Sequence, residues 1–451
     1  MIHMKKPLQS SAIICLLSAF GLLFTAALPC GTAFAQTDVA CSQSDVACSH
    51  TDVSCSQSDV SCSQSDVSLG QTYGDQVNVP ARWAVVELSA NFMREKPDFD
   101  QELGDQALMG TVVEILDIQG SWVKIRTPEP YTAWVTDLGL VPLDDAGLRD
   151  YMEAPKYICT AAHSCIYEEP SVKSGIVSEL VLGDIVRIMY KTIHHTSGRY
   201  KGYDEGRAVL TRKFVGVVLP SGKTGYVPAG DVAVFYKWAK EAEALAQKPS
   251  VFRDRLVGTA RLFLGVPYMW GGTSIKNVDC SGLTRCVYFS NGILLPRNAS
   301  QQARVGEDVP LATTAWDVSK GVPGEMVRGV AGEGVQGAAG DEVQGAAGDG
   351  VQGAAGDGAV NWSALLPGDL IFWGREATDS QPEKATHVGI YIGDGQFIHA
   401  SHYVRIGSLD PASEYYYDRK PLRARRIVGK SGLCGTGTSY IFRSPSYFVK
   451  N

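Results

Sequence analysis

The sequence contains no Cys-x-x-Cys pair, no His-x-x-x-His pair and only 8 histidines in 451 residues. Structural zinc sites draw their ligands from such closely spaced residues, so no metal or other cofactor is expected. There is no long basic stretch either, and the net charge is −7. Phosphate binding needs a concentrated cationic face, so nucleic acid is not an expected partner. No long apolar run follows the N-terminal one, which leaves no expected membrane span in a processed chain. What is present is an ordinary globular composition, 45% hydrophobic and 20% charged, long enough for two to four domains.

The N-terminus has the three-part layout of a secretory signal peptide. Lys5 and Lys6 precede an apolar run from Ala12 to Leu28, and Ala33-Phe34-Ala35 forms an A-x-A cleavage site before Gln36. A membrane anchor is the alternative, but the run is short for one. Lipid attachment at Cys30 is a weaker alternative, with Pro29 before it and Ala27 where Leu is usual. The expected location is therefore the periplasm, the cell wall or the medium.

Of the 11 cysteines, Cys15 and Cys30 fall in the signal peptide and Cys41, Cys48, Cys55 and Cys62 in a seven-residue repeat over 37–70. Cys159, Cys165, Cys280, Cys286 and Cys434 remain. An odd number outside the cytoplasm fits one free thiol with a task, although spacing assigns no pairs. The repeat offers one apolar residue per heptad and reads as a tether rather than a coiled coil. Two β-rich stretches follow, with WAVVEL, TVVEILDI and SWVKIRT in the first and GDIVRIMYK and FVGVVLP in the second. Short strands at even spacing read as small barrels. FYKWAKEAEALAQKP reads as a helical linker, and 251–265 as an amphipathic helix opening the last domain. The Gly-rich repeat built on VQGAAGDG buries nothing and reads as a loop insert.

Three islands carry chemistry: YMWGGTSIKNVDCSGLTRCVYFSNGILLPRNASQQ, LLPGDLIFW and HVGIYIGDGQFIHAS. Cys280 stands at the start of a predicted helix, where the helix dipole, helped by an imidazole, favours a thiolate below neutrality. Asp279 beside it is placed to cap the helix or to meet a substrate amine. The third island predicts a hairpin turning at Gly393-Asp394-Gly395, which sets Gly389 opposite His399 and puts His387 on the same face, about 7–8 Å away or closer. One histidine can then deprotonate Cys280 while the other holds its ring, which assigns His387 as base and His399 as orienting group. Cys286 and His402 read as structural, and Cys159, His163 and Cys165 as free thiols or a disulfide ahead of a metal site. Arg423, Arg425 and Arg426 could meet an anionic wall polymer or form a solvated face.

The islands closely resemble the NlpC-type family of papain-fold peptidases, through Y-x-W-G-G, D-C-S-G, P-R-x-S-Q-Q, P-G-D-L and H-V-G-I-Y-I-G over most of 251–410. The β-rich stretches resemble bacterial SH3-like domains. The resemblance implies an α+β papain-like catalytic domain preceded by two all-β SH3-like barrels; a monomer is expected. The expected boundaries are signal peptide 1–35, linker 36–78, barrels 79–148 and 149–236, helical linker 237–250 and peptidase 251–451 with an insert at 317–361. It implies a cysteine endopeptidase cutting the γ-D-glutamyl-diamino acid bond of peptidoglycan stem peptides, with Cys280 as nucleophile. In the subgroup that joins paired barrels to the peptidase, a free N-terminal L-Ala is recognised; Glu102, Tyr131, Tyr268, Asp279 and Ser281 match its pocket. Asn298 stands where the subgroup commonly has an acid, so it brings no charge to the substrate amine. The rival readings are a catalytically silent peptidoglycan-binding protein and an amidase or acyltransferase on the same fold.

Overall fold

The computed structural model describes residues 81–194, 204–314, 316–317, 322–323, 359–429 and 438–448. The signal sequence, the heptad repeat, most of the Gly-rich insert and Cys434 lie outside the described residues.

Alternating apolar residues build the first sheet, seven antiparallel strands between Trp83 and Leu143 whose core holds Ala84, Met93, Val113, Ile125 and Val135. A second seven-stranded sheet runs from Lys156 to Val234, around Ile166, Leu180, Val186, Val217 and Val227. Numbered along the chain within each sheet, both have the strand order 3-2-6-5-4-1-7. The second adds a hairpin, Tyr190–His194 with Asp204–Ala208, between its fourth and fifth strands. Helix α1 (Asp145–Glu153) joins the two sheets and is capped by Asp144, whose carboxylate accepts from the Gly147 N–H at 2.7 Å.

Helices α2 (Phe235–Ala246) and α3 (Pro249–Arg261) lead into the last region, with Pro249 at the start of α3. A six-stranded antiparallel sheet follows in the order Glu307–Val309, Arg423–Arg426, Leu370–Arg375, Lys384–Gly393, Gln396–Ser401, Tyr403–Ser408. Helix α4 (Cys280–Phe289) packs Leu283 and Val287 on one face of it, against Phe372, Val388, Ile390 and Ile398. The other face carries Trp373, Tyr391 and Phe397. The ends of the expected insert meet in a short ladder that pairs Ala312–Thr314 with Ala359–Asn361. Among the described residues no helix is long and apolar enough to cross a membrane.

Two motif residues outside the histidine hairpin, Asp369 and Gln302, act as structural ties. Asp369 of P-G-D-L is fully buried, pairs with Arg253 and Arg426, and accepts from the Leu366 N–H. Gln302 of S-Q-Q donates to the Ser281 and Pro296 carbonyls and accepts from Thr284 Oγ1. The expected basic patch is distributed among acids: Arg423 faces Glu383, Arg425 faces Asp308 and Arg426 faces Asp369. Alternation turns Arg426 away from Arg423 and Arg425, and each of the three is matched by its own acid.

Candidate active site

Cys280 is the first residue of α4, and Asp279 caps it through a 2.7 Å bond from the Gly282 N–H. The glycines around it permit a close approach of chains. A Cβ on Gly282 would run into the Gly272 carbonyl oxygen, and Gly271, at φ +77°, leaves no room for one beside Leu103. The W-G-G and D-C-S-G motifs therefore describe a loop pressed against a helix start.

The thiol faces the strand that bears His387. Its Sγ lies 3.9 Å from the Thr386 carbonyl oxygen, and the Val388 N–H points at it. Thr386 is the extra residue of a β-bulge, since Trp373 pairs with His387 and Gly374 with Ala385. Such a bulge re-aims the next side chain. The hairpin pairs Gly389 with His399 as expected, turning through Asp394 and Gly395 at positive φ. His387 Nε2 and His399 Nδ1 are 2.8 Å apart. His399 is 1% exposed, between Phe397 and Tyr417, while His387 stays half-buried against Trp373 and Tyr417.

Electrostatics correct one expectation. The helix start was expected to favour a thiolate, but burial, reinforced by the Asp279 carboxylate, pushes the Cys280 thiol up to about 12. Burial likewise lowers His387 to about 4 and His399 to about 2, with Arg419 and Arg405 adding to both and His387 itself to His399. Neutral thiol beside neutral imidazole is the resting state these environments favour.

The residues expected to bind substrate are placed unevenly. Tyr268 lies within electrostatic reach of Cys280 and Asp279, and Tyr131 of the first sheet within reach of Asp105, Arg297, Glu95 and Asp279. Glu102 is exposed, with its carbonyl accepting from the Glu95 N–H. Asn298 caps a short helix, Ala299–Gln302, and its N–H donates to Gln301 Oε1 at 3.0 Å. Asp279 accepts from the Gly271 and Gly282 N–H groups, from Ser281 Oγ and from Arg297 at 2.5 and 3.1 Å. Ser281 Oγ in turn accepts from Arg297. Both side chains are largely buried. Cys286 is buried, and His402 occupies a left-handed turn position beside the last strand of the sheet. The four described cysteines, Cys159, Cys165, Cys280 and Cys286, are all free thiols.

Sequence reasoning missed the group behind Asp279. Arg297 also bonds Asp105 of the first sheet at 2.7 Å; Arg285 of α4 bonds Asp105 and Glu129, each at 2.7 Å; Tyr447 donates to Glu129 at 2.9 Å. Asp105 is 0% exposed, and its two guanidinium partners hold its carboxyl below the usual range against the cost of burial. The one local signal was an acid inside a largely buried strand.

A free thiol at a helix start, lodged against the backbone on either side of His387, in a sheet that also holds the His387–His399 pair, belongs to a papain-like α+β fold. Residues 265–426 match the NlpC/P60 family and residues 93–140 the bacterial dipeptidyl-peptidase SH3 domain. The chain thus carries an NlpC/P60 domain together with a bacterial SH3 domain. It is 25% identical over 335 residues (72% of this chain, 76% of the relative) to a gamma-D-glutamyl-L-lysine dipeptidyl-peptidase of Bacillus cereus (strain ATCC 10987 / NRS 248). It is 27% identical over 230 residues (50% of this chain, 74% of the relative) to dipeptidyl-peptidase 6 of Lysinibacillus sphaericus. A crystal structure of an NlpC/P60 family protein from Bacillus cereus ATCC 10987 aligns with 77% of this chain and 99% of its own, at 22% identity and a TM-score of 0.49.

Proposed function

We propose that this protein is an exported cysteine endopeptidase that hydrolyses the γ-D-glutamyl-diamino acid bond of peptidoglycan stem peptides. The observation that carries the reading is the 2.8 Å histidine pair beside a thiol lodged against both backbone neighbours of His387. Because Nε2 of His387 is bonded to His399, Nδ1 is the nitrogen left for the thiol. Nε2–H then donates to His399, which holds the ring in the tautomer that accepts a proton.

With thiol and imidazole neutral at rest, proton transfer accompanies attack. The Cys280 sulfur bonds to the γ-carbonyl carbon, the thiol proton passes to His387, and His387 gives it to the departing amine as the C–N bond breaks. Water then hydrolyses the thioester. Tyr131 of the first sheet lies within electrostatic reach of Asp279, and with Glu102, next to the strand Leu103–Leu108, it would meet a free N-terminal L-Ala. Asn298 contributes no charge there, and the carboxylate of Asp279 is already paired with Arg297. The second sheet has the strand order of the first, which supports a second SH3-like barrel. The domain limits expected from the sequence stand as part of this proposal, as do secretion by the N-terminal signal and a monomeric state.

The test uses L-Ala-γ-D-Glu-diaminopimelate with purified protein and Cys280→Ala as control. Cleavage by the intact protein alone is expected; cleavage that survives in the variant sinks the mechanism. No cleavage by the intact protein favours a binding role. Acetylating the alanine amine should slow turnover, and an unchanged rate contradicts the free-amine preference.

A further inference from the structure

The sheet face that carries the histidines also carries two cations the reaction above does not use. Arg405 pairs directly opposite His399 on the adjacent strand, so its side chain rises from the same face. Arg419 places its guanidinium 5.7 Å from the centre of the Tyr417 ring. That ring packs 5.0 Å from His399 and 5.9 Å from His387. The Arg419 backbone is fixed as well, its carbonyl accepting from Trp373 Nε1 at 3.0 Å. Arg405 is half-buried and Arg419 exposed, and among the described residues neither is paired with an acid. They differ in this from Arg423, Arg425 and Arg426, each of which faces one. Both are close enough to lower the proton affinity of the two histidines.

A pair of cations beside a general acid has a direction. His387 must reach the nitrogen of the leaving amine, so the leaving residue lies on the histidine side of the thiol. The acyl part extends the other way, toward Tyr268 and Tyr131. We infer that Arg405 and Arg419 form a carboxylate-binding subsite for the leaving residue, which selects a diamino acid bearing a free carboxylate. This rests on the peptidase reading above and deepens it. The carboxylate could be the α-carboxylate of a chain-terminal residue or the side-chain carboxylate of diaminopimelate; lysine offers only the first. Planar guanidinium groups suit either through paired hydrogen bonds.

The full chain is assayed on L-Ala-γ-D-Glu-X, with X as diaminopimelate, lysine or lysine amide. Diaminopimelate against lysine isolates the side-chain carboxylate, and lysine against lysine amide isolates the α-carboxylate. Loss of a recognised carboxylate should lower kcat/KM on the order of ten-fold, mainly through KM. Arg405→Ala and Arg419→Ala should each shrink that discrimination, lowering kcat/KM more on the carboxylate-bearing substrates than on lysine amide. Arg405→Lys should restore part of it. Equal kcat/KM on all three substrates overturns the inference while leaving the peptidase reading intact. So does a loss in the arginine variants that is the same for every substrate. Cleavage of these substrates by Cys280→Ala overturns the peptidase reading, and the subsite with it.

Discussion

Two sheets of one strand order meet the catalytic region in different ways. The first does so with charge: Asp105 and Glu129 bind Arg285 and Arg297, and Gln106 Oε1 accepts from the Thr273 N–H at 2.7 Å. The second does so mainly with apolar side chains. Val181 and Leu182 enter the core around α4, and Ile158 and Ile185 pack with Phe235, Trp238 and Leu294. Its charged contact, Glu179 with Lys276, is partly exposed. Apolar contact is non-directional, whereas a buried carboxylate must satisfy each of its partners in one geometry. The first sheet is therefore tied to the cap of α4 through Asp105, Arg297 and Asp279, and the second acts as a support.

Asp105→Ala is the strongest way to break this contrast. It strips a counter-charge from two buried guanidinium groups, and chemical denaturation should show a loss of about 3–5 kcal/mol. Activity of the remaining folded protein should fall too, because Asp279 loses its brace. Leu182→Ala in the second sheet should cost about 2 kcal/mol, with kcat/KM on any γ-D-glutamyl substrate little changed. A Leu182 variant as inactive as the Asp105 one would erase the distinction.

Acid sharpens the comparison by sign. His387 and His399 titrate lower when folded than unfolded, so the unfolded chain binds the extra protons. Their share of stability is lost as pH falls from about 6.5 toward about 4 for His387. Asp184 in the second sheet is buried, accepts the Met109 and Val181 N–H groups, and is raised well above the usual carboxylate range by burial. Its share runs the other way, growing as pH falls. Urea unfolding at pH 7 and pH 5 should show the intact protein weakening in acid, less so for His387→Gln and more so for Asp184→Asn. The reverse ranking would contradict these assignments. Glu179→Gln should have the smallest effect, below about 1 kcal/mol and weaker in high salt, as for other exposed pairs.

What could be read from the sequence was local. The turn at Asp394 and the strand alternation determine that Gly389 faces His399, and the apolar spacing of 251–265 corresponds to α3 at Pro249–Arg261. The Asp105 network escaped because its partners lie 156 to 192 positions apart and no short-range pattern marks them. A helix start and burial act in opposite directions on the proton of the Cys280 thiol, and the extent of its burial is not legible in the sequence. Asn298, expected in the pocket, also serves as a helix cap through its backbone N–H, which needs the fold around it to be seen. Arg423, Arg425 and Arg426 looked like one patch, but each faces its own acid.

The central claim, a thioester formed on Cys280 by the dipeptide, can be tested by acid-quenching the protein during turnover of L-Ala-γ-D-Glu-diaminopimelate and weighing it intact. The account predicts a gain equal to one L-Ala-γ-D-Glu acyl group, mapped by peptide digestion to the segment bearing Cys280 and lost in Cys280→Ala. Cleavage that proceeds in the Cys280→Ala variant, or an adduct mapped to another residue, would contradict it.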